Sequence, residues 1–374
     1  MALSKIDTTN MIEDVPQSKL DNNINFRNII INGDMSIAQR STSESGVTSG
    51  GYYTIDRFRW TVSAGDIVTL SQSTDTPSGQ GFSNSFKVDV TTADTSIGAD
   101  DYAHISHRIE AQNLQYLNYG TSSAQTLTLS FWVKSTKTGT YCVSISKQDN
   151  TRYDYVAEYS ISSASTWEKK TITIAPDSNI KAAGGAINND NGTGYNLKFV
   201  LAAGSNRQGT NETWNAGTAE GTSNQVNFLD STSNDFYITG VQLEVGQTAS
   251  EFEFLPFDVN ENRCLRYFRV VGDTVSGSVA FGNGFTGAYN TTTQVIAGRQ
   301  LPIRMRTSPT VTLSALSTFD LEPFDIAPSS LAVQNTSPNE VVIKGTDPSA
   351  RTKGFACVIT IDQAGGFVKM DAEL

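Results

Sequence analysis

The chain has 374 residues and a formal net charge of −11, and only 17% of its residues are charged. Such an excess of acidic groups repels a phosphate backbone, so nucleic acid is not an expected partner. No stretch reaches the roughly eighteen apolar residues of a membrane helix, and the start of the chain lacks the basic and apolar regions of a signal peptide, so neither membrane insertion nor secretion by the general route is expected.

Residues 1–25 are polar and carry only a weak apolar rhythm. A segment of this composition buries too little surface to fold alone. We therefore predict an extended N-terminal arm that is held by a partner, such as another subunit of an oligomer.

From residue 26 to about residue 257, segments with strand character follow one another, separated by clusters of Gly, Asn, Ser and Asp. In "TLTLSFWVKS" the apolar side chains from Leu127 to Val133 alternate with polar ones, which is the period of a half-buried strand. Helical periodicity is nearly absent. Eight or more such strands, each with one apolar face, predict an all-β chain whose residues 26–257 form a jelly-roll-like β-sandwich.

After Phe257 the spacing changes in "DVNENRCLRYF", which predicts a short helical or turn linker over residues 258–268. Further strand-like segments follow, and prolines recur between them, so these strands should be short and often at sheet edges. We predict a second, smaller β domain over residues 269–374.

The titratable residues that could suggest chemistry are interpreted as structural. His104 and His107 are the only histidines, and on a strand their side chains point to opposite faces, so no metal site is predicted. Asp56 beside Arg57, with Arg40 upstream, predicts a buried ion pair at a sheet corner. No nucleophile motif is present, and the G-x-G-x-x-G match at Gly282–Gly287 lacks the helix start and the following acidic residue of a nucleotide site, so it is interpreted as a glycine-rich turn. We expect a protein that is not an enzyme, although the many Asp and Glu residues leave open a pair of carboxylates for glycoside hydrolysis.

Sugar binding without catalysis needs flat aromatic faces near amide or carboxylate groups. Trp132 lies on the polar side of its strand, Trp214 lies in a long Gly- and Asn-rich segment, and Tyr153 and Tyr155 are next to charged residues. These four are the candidate glycan-binding residues, and the alternative is that they pack over sheet ends or at subunit contacts. Trp60 shares a face with Phe58 and is predicted in the core.

Six segments occur in a fixed order between Asn28 and Phe268: NIIINGDMSIAQR, YTIDRFRW, LTLSFWVKSTKTGTY, TWEKKTITI, YITGVQLEVGQTASEFEFLPF and NRCLRYF. This series resembles a family of bacteriophage tail-fibre and related virion proteins. Met35 stands where an aromatic residue is common in that family, and Phe58 where tryptophan is usual. Both are core-type exchanges that leave the expected fold intact.

The resemblance implies a structural protein of a phage virion, a tail fibre or similar appendage, made in the host bacterial cytoplasm. It implies a homo-oligomer, expected to be a trimer, whose N-terminal arm attaches to other virion proteins. The expected function is non-enzymatic adhesion to host-surface glycans, without a cofactor. The alternatives are a purely structural decoration or connector protein of the capsid or tail, and, less favoured, a polysaccharide depolymerase.

The first strand and the sandwich also look like carbohydrate-binding modules, some of which hold a structural calcium ion. That resemblance makes Asp34 a candidate calcium ligand. One acidic residue does not define a calcium site.

Overall fold

The structure is a computed structural model that describes residues 26–63, 65–272, 284–361, 363 and 365–374. The predicted arm, residues 1–25, lies outside the described residues. The chain divides into two compact units, of which the first ends at Leu255 and the second begins at Pro256. Within the described residues, no helix has the length and apolar character needed to cross a membrane.

The first unit is built from antiparallel strands in two sheets. The strands are β1 (Ser43–Val47), β2 (Phe58–Val62), β3 (Ile67–Ser73), β4 (Ser85–Thr92), β5 (Tyr102–Glu110), β6 (Leu127–Ser135), β7 (Gly139–Lys147), β8 (Tyr153–Ile161), β9 (Glu168–Ile174), β10 (Thr193–Ala203), β11 (Thr213–Ala216) and β12 (Asp235–Val245). Sheet I has the order β1-β3-β4-β12-β6-β9, and sheet II has the order β11-β8-β7-β10-β5-β2. The prediction of an all-β chain with a β-sandwich is confirmed.

The two sheets face each other across one apolar core. Phe131 of β6 in sheet I and Phe199 of β10 in sheet II meet at a distance of 5.1 Å between ring centroids. The predicted alternation on β6 is present, because Leu127 to Val133 bury their apolar side chains completely at every second position. Trp60 is also completely buried, as predicted. Burial of one such side chain contributes about 1.5–3 kcal/mol, so the facing strands stabilise each other mainly through this core.

The segment before β1 is fixed to β12 by buried polar side chains. The Asn28 amide donates to the Val241 carbonyl at 3.0 Å and accepts from the Leu243 backbone N–H at 3.1 Å. A Cβ atom on Gly33 would lie 2.1 Å from the Val241 carbonyl oxygen, so only glycine allows this close approach. Residues from the first and fifth of the six ordered segments thus hold the scaffold together.

At the predicted ion pair of the sheet corner, Asp56 lies close to Arg40. Arg40 Nη1 lies 3.8 Å from Asp56 Oδ1, and the Gln39 backbone N–H donates to the same oxygen at 3.0 Å. Burial raises the pKa of Asp56, and the charge of Arg40 acts in the opposite direction. Arg57, whose φ of 71° is left-handed, donates from Nη2 to the Arg108 carbonyl at 2.6 Å.

One short helix, α1 (Ser178–Lys181), lies in the loop between β9 and β10. The carboxylate of Asp177 caps it by accepting from the backbone N–H groups of Asn179 and Ile180. Such an N-cap satisfies donors that have no partner inside the helix.

The second unit begins with a helix and continues with strands. Its elements are α2 (Phe257–Leu265), β13 (Phe268–Gly272), β14 (Phe285–Tyr289), β15 (Gln294–Gln300), β16 (Thr310–Leu313), β17 (Phe319–Glu322), β18 (Ser330–Ser337), β19 (Glu340–Thr346), β20 (Ala356–Ile361) and β21 (Phe367–Asp371). They form a three-stranded sheet, β13-β21-β16, and a six-stranded sheet, β17-β20-β14-β15-β19-β18. A separate apolar core that includes Phe285, Ile343 and Ile359 holds this unit together.

Candidate functional site

A polar groove of about 390 Å³ lies on the outer face of sheet II, on the side opposite the core. Its walls come from β2, β5 and β10, and from the loops that follow β7, β10 and β11. The lining residues are hydroxyl, amide and charged side chains with one tyrosine: Arg59, Thr61, Tyr102, His104, Arg108, Gln148, Arg152, Thr193, Asn196, Lys198, Arg207, Thr218 and Glu220.

Strand register brings these residues together from distant parts of the sequence. Ser106 of β5 is the register partner of both Arg59 on β2 and Lys198 on β10. Two residues further along the same face, Arg108 of β5 is paired with Asn196 of β10. Paired residues on one face have Cβ atoms about 4.5–5.5 Å apart, and the small side chain of Ser106 leaves room for the long cations on either side.

The groove contains a buried charge network centred on Glu220. One carboxylate oxygen accepts from Lys198 Nζ at 2.9 Å, and the other lies 3.2 Å from His104 Nδ1. Burial by itself raises the pKa of Glu220, but the neighbouring His104 and Lys198 outweigh it and hold this pKa well below its usual range. Burial lowers the pKa of His104, with Glu220 opposing and the charges of Lys198 and Arg59 acting in the same direction as burial.

Tyr102 contacts two other groove residues. Its ring stacks on the His104 ring at 5.5 Å with an interplanar angle of 16°, and the Arg207 guanidinium carbon lies 4.9 Å from the ring centroid. Arg207 Nε also donates to the Asp100 carbonyl at 3.0 Å. Stacking and hydrogen bonding together orient this guanidinium, which reduces the entropy that a ligand would have to remove.

Asp154 fixes the loop that follows β11. Its carboxylate is fully buried and accepts from Arg152 Nη2 at 2.9 Å and from the Ala219 backbone N–H at 2.9 Å. Since Glu220 follows Ala219 in the chain, this contact also sets the position of the Glu220 carboxylate.

Trp214, Tyr155 and Tyr153, three of the four aromatic residues predicted for glycan binding, lie together on β8 and β11 and do not line the groove. Trp214 and Tyr155 are register partners, with 3% and 5% of their surface exposed. Trp214 donates from Nε1 to the Ala175 carbonyl at 3.0 Å. Pairing of β11 with β8 therefore turns Trp214 into the core. Tyr153 is half-buried and packs against the same core.

Trp132, the fourth predicted residue, is on β6 in sheet I. It is half-buried on the face opposite the core, so it belongs to the other sheet of the sandwich. The structure does not combine these four aromatic residues into one site.

Asp34, the candidate calcium ligand, accepts a hydrogen bond from the Ser36 hydroxyl at 3.1 Å. In the described part of the chain, no three His, Cys, Asp or Glu side chains come close enough together to hold a metal ion.

His104 and His107 point to opposite faces of β5, as the alternation predicted. His104 lies in the groove, whereas His107 packs edge-on against Phe58 at 5.1 Å between ring centroids. The groove itself was not predicted from the sequence. Its signal is present in β5, "YAHISHRIE", where large polar or charged side chains occupy most of the outward positions.

The fold and groove define the first unit as a β-sandwich of two six-stranded antiparallel sheets with a polar groove on one outer face. No family model and no curated protein matches the chain. Among solved structures, the enzymatically active domain of tailspike protein 4 of bacteriophage CBA120 aligns with a TM-score of 0.29 and 15% identity, over 54% of this chain and 21% of that chain.

Two Clostridium thermocellum structures also align. A family 11 carbohydrate-binding module in complex with a β-1,3-1,4-mixed-linked tetrasaccharide has a TM-score of 0.28 and 13% identity, over 56% of this chain and 99% of that one. The CBM22-1 and GH10 modules of xylanase 10B with xylohexaose have a TM-score of 0.27 and 15% identity, over 57% and 30% of the two chains. At these values the matches carry no argument about ligand or activity.

Proposed function

We propose that this chain binds glycans through the polar groove on the outer face of sheet II. The observation that carries the proposal is the lining itself, which consists almost entirely of hydroxyl, amide and cationic side chains. A sugar chain presents hydroxyl groups along its length, and binding sites for polar ligands supply a set of oriented donors and acceptors for such groups. The volume of about 390 Å³ lies within the range of small-molecule sites.

The lowered pKa of the groove's acidic residue favours binding without cleavage. Glycoside hydrolysis uses a pair of carboxyl groups, one of which has a raised pKa so that it can donate a proton. Among the described lining residues Glu220 is the one carboxylate, and its pKa is held low beside Lys198 and His104. A carboxylate in this state is unsuited to act as the proton donor.

The biological setting that we propose is a phage virion, in which the protein is part of a tail fibre or similar appendage. The support is the ordered series of six segments between Asn28 and Phe268, which resembles phage virion proteins. Residues 1–25 would attach the protein to other virion components. A trimer would present several grooves at once, and several weak contacts would add up through effective concentration.

The test is binding of the purified full-length chain to a panel of capsular and O-chain polysaccharides, with the polymer recovered and sized afterwards. A Thr218→Trp variant places a bulky ring on an exposed loop residue of the groove, and Thr171→Trp makes the same change on exposed β9 of sheet I. We expect binding that is lost in Thr218→Trp, retained in Thr171→Trp, and accompanied by unchanged polymer length.

Shortened polymer would instead indicate a depolymerase. Absence of binding to every polysaccharide by the assembled oligomer would leave a structural role.

A further inference from the structure

The groove concentrates positive charge in a chain that is otherwise acidic. Five of its lining residues are arginine or lysine and one is a carboxylate, although the whole chain has a net charge of −11. The arginines and lysine are Arg59, Arg108, Arg152, Lys198 and Arg207. A cluster of positive charge on an acidic protein requires an explanation from the structure of the groove.

Ion pairing within the protein explains part of this cluster. Lys198 is paired with Glu220, and Arg152 with Asp154. Arg59 and Arg207, in contrast, are held by neutral groups: the Thr61 hydroxyl in one case, and the Asp100 carbonyl with the Tyr102 ring in the other. Neither of the two is in an ion pair with a residue that the structure describes.

The charges in the groove also repel one another. Burial lowers the pKa of the Arg108 guanidinium, Tyr52 opposes this effect, and the charges of Arg59 and Arg57 lower the pKa further. An anionic group bound among these side chains would relieve that repulsion, whereas a neutral sugar would leave it in place.

The faces of Tyr102 are engaged by groove residues, since His104 stacks on the ring and Arg207 lies over it. A neutral sugar ring that stacked on this side chain would compete with these two contacts. Guanidinium groups, in contrast, present planar pairs of N–H donors that fit oxyanions such as carboxylate.

We propose that the ligand is an acidic polysaccharide, one whose sugar units carry oxyanion groups, and that Arg59 and Arg207 bind these groups directly. This inference rests on the proposed glycan-binding function and specifies its ligand class. Carboxylate, sulfate and phosphate substituents share the oxyanion chemistry.

The test compares binding of the full-length protein to neutral polymers (dextran and mannan), to carboxylated polymers (polygalacturonate, hyaluronan and polysialic acid), to sulfated heparin and to phosphate-bearing teichoic acid. We expect binding to at least one acidic polymer and to neither neutral one. Because exposed charges are screened by salt, affinity should fall as NaCl rises from about 50 to 500 mM.

The double variant Arg59→Ala/Arg207→Ala should weaken binding of that polymer by about tenfold or more, since each substitution removes a charge-assisted hydrogen bond. The double variant Arg59→Lys/Arg207→Lys should recover part of the affinity, because it keeps the charge but loses the planar donor pair. The control Lys169→Ala/Lys181→Ala removes two exposed positive charges elsewhere on the same unit and should change affinity less than twofold.

Binding confined to neutral polymers, or binding of an acidic polymer that both Arg59→Ala/Arg207→Ala and salt leave unchanged, would overturn this inference while the glycan-binding function stands. Failure to bind any polysaccharide, including those of the larger panel, would remove the function and the inference together. Tighter binding of a single-stranded oligonucleotide than of every acidic polysaccharide would also overturn it.

Discussion

At the scale of single residues, Glu220 organises the groove. It is nearly completely buried, and its two carboxylate oxygens face Lys198 and His104. Without this acid, two groups that can carry positive charge would remain buried beside the arginines, which is costly in a low-dielectric environment. Glu220 therefore positions Lys198 directly. It positions Arg207 indirectly, because His104 contacts Tyr102 and Tyr102 contacts Arg207.

The network makes stability depend on pH in a defined direction. The pKa of His104 is lower in the folded protein than its ordinary value of 6.5, so the unfolded chain binds more protons below that value. The contribution of His104 to the unfolding free energy is therefore complete above about pH 6.5 and is lost as the pH falls. The pKa of Glu220 is also lowered, from an ordinary 4.5, and adds a further loss below that pH.

We therefore expect the unfolding free energy to decrease between pH 7 and pH 5, and to decrease less in the variant His104→Asn. Urea unfolding at pH 7, 6 and 5 measures the difference. The same substitution at His107, on the core face of β5, serves as the comparison because its imidazole does not face Glu220. Parallel pH profiles for His104→Asn and the unchanged protein would contradict the prediction.

At the scale of secondary-structure elements, β11 closes the edge of sheet II through one aromatic side chain. The Trp214 ring lies 5.3 Å from Tyr155 and 6.2 Å from Tyr119, measured between ring centroids. Its hydrogen bond to Ala175 ties this edge to the segment that follows β9. A strand of only four residues has few backbone contacts of its own, so the tryptophan supplies much of its attachment.

Replacing Trp214 with alanine should destabilise the protein by about 3–5 kcal/mol, because a large buried side chain is removed and leaves a cavity. Chemical denaturation measures this loss, with Trp132→Ala in sheet I as the comparison. We expect Trp132→Ala to cost less, since Trp132 is only half-buried. Unchanged stability of Trp214→Ala together with abolished polysaccharide binding would instead support the original sugar-stacking role.

The strands could be predicted from the sequence because their alternation is local. In β6 and β5, each inward position is read directly from the neighbouring residues, and the opposite directions of His104 and His107 follow from the same rule. The groove could not be predicted, because Arg59, Arg108 and Lys198 meet only through the order β10-β5-β2 and its register. The burial of Trp214 could not be predicted for the same reason, since it depends on pairing with a strand about sixty residues earlier.

At the scale of the whole molecule, two separate cores suggest two folding units. The core of the first unit and that of the second draw on different parts of the chain, which divides between Leu255 and Pro256. A domain with its own core is in principle able to fold alone.

We expect fragments of residues 26–255 and 256–374 to fold separately, each with a cooperative thermal transition by circular dichroism. The first should keep the polysaccharide binding of the full chain, since it contains every lining residue of the groove. A fragment of residues 26–240 is the control: it lacks the end of β12, which pairs with β6, and should lose cooperativity. An unfolded 26–255 fragment in physiological buffer would show that the first unit depends on the second.

The division of each sheet II strand into an inward and an outward set of side chains has a consequence for how this protein changes over time. On β5 and β10, residues such as Ile105 and Phe199 maintain the sandwich, while their sequence neighbours His104 and Lys198 face the groove. Substitutions at outward positions that lie outside the Glu220 network would change the proposed ligand preference with little effect on folding. If the groove binds a surface polymer as proposed, its recognition residues can diversify along the same strands that preserve the architecture.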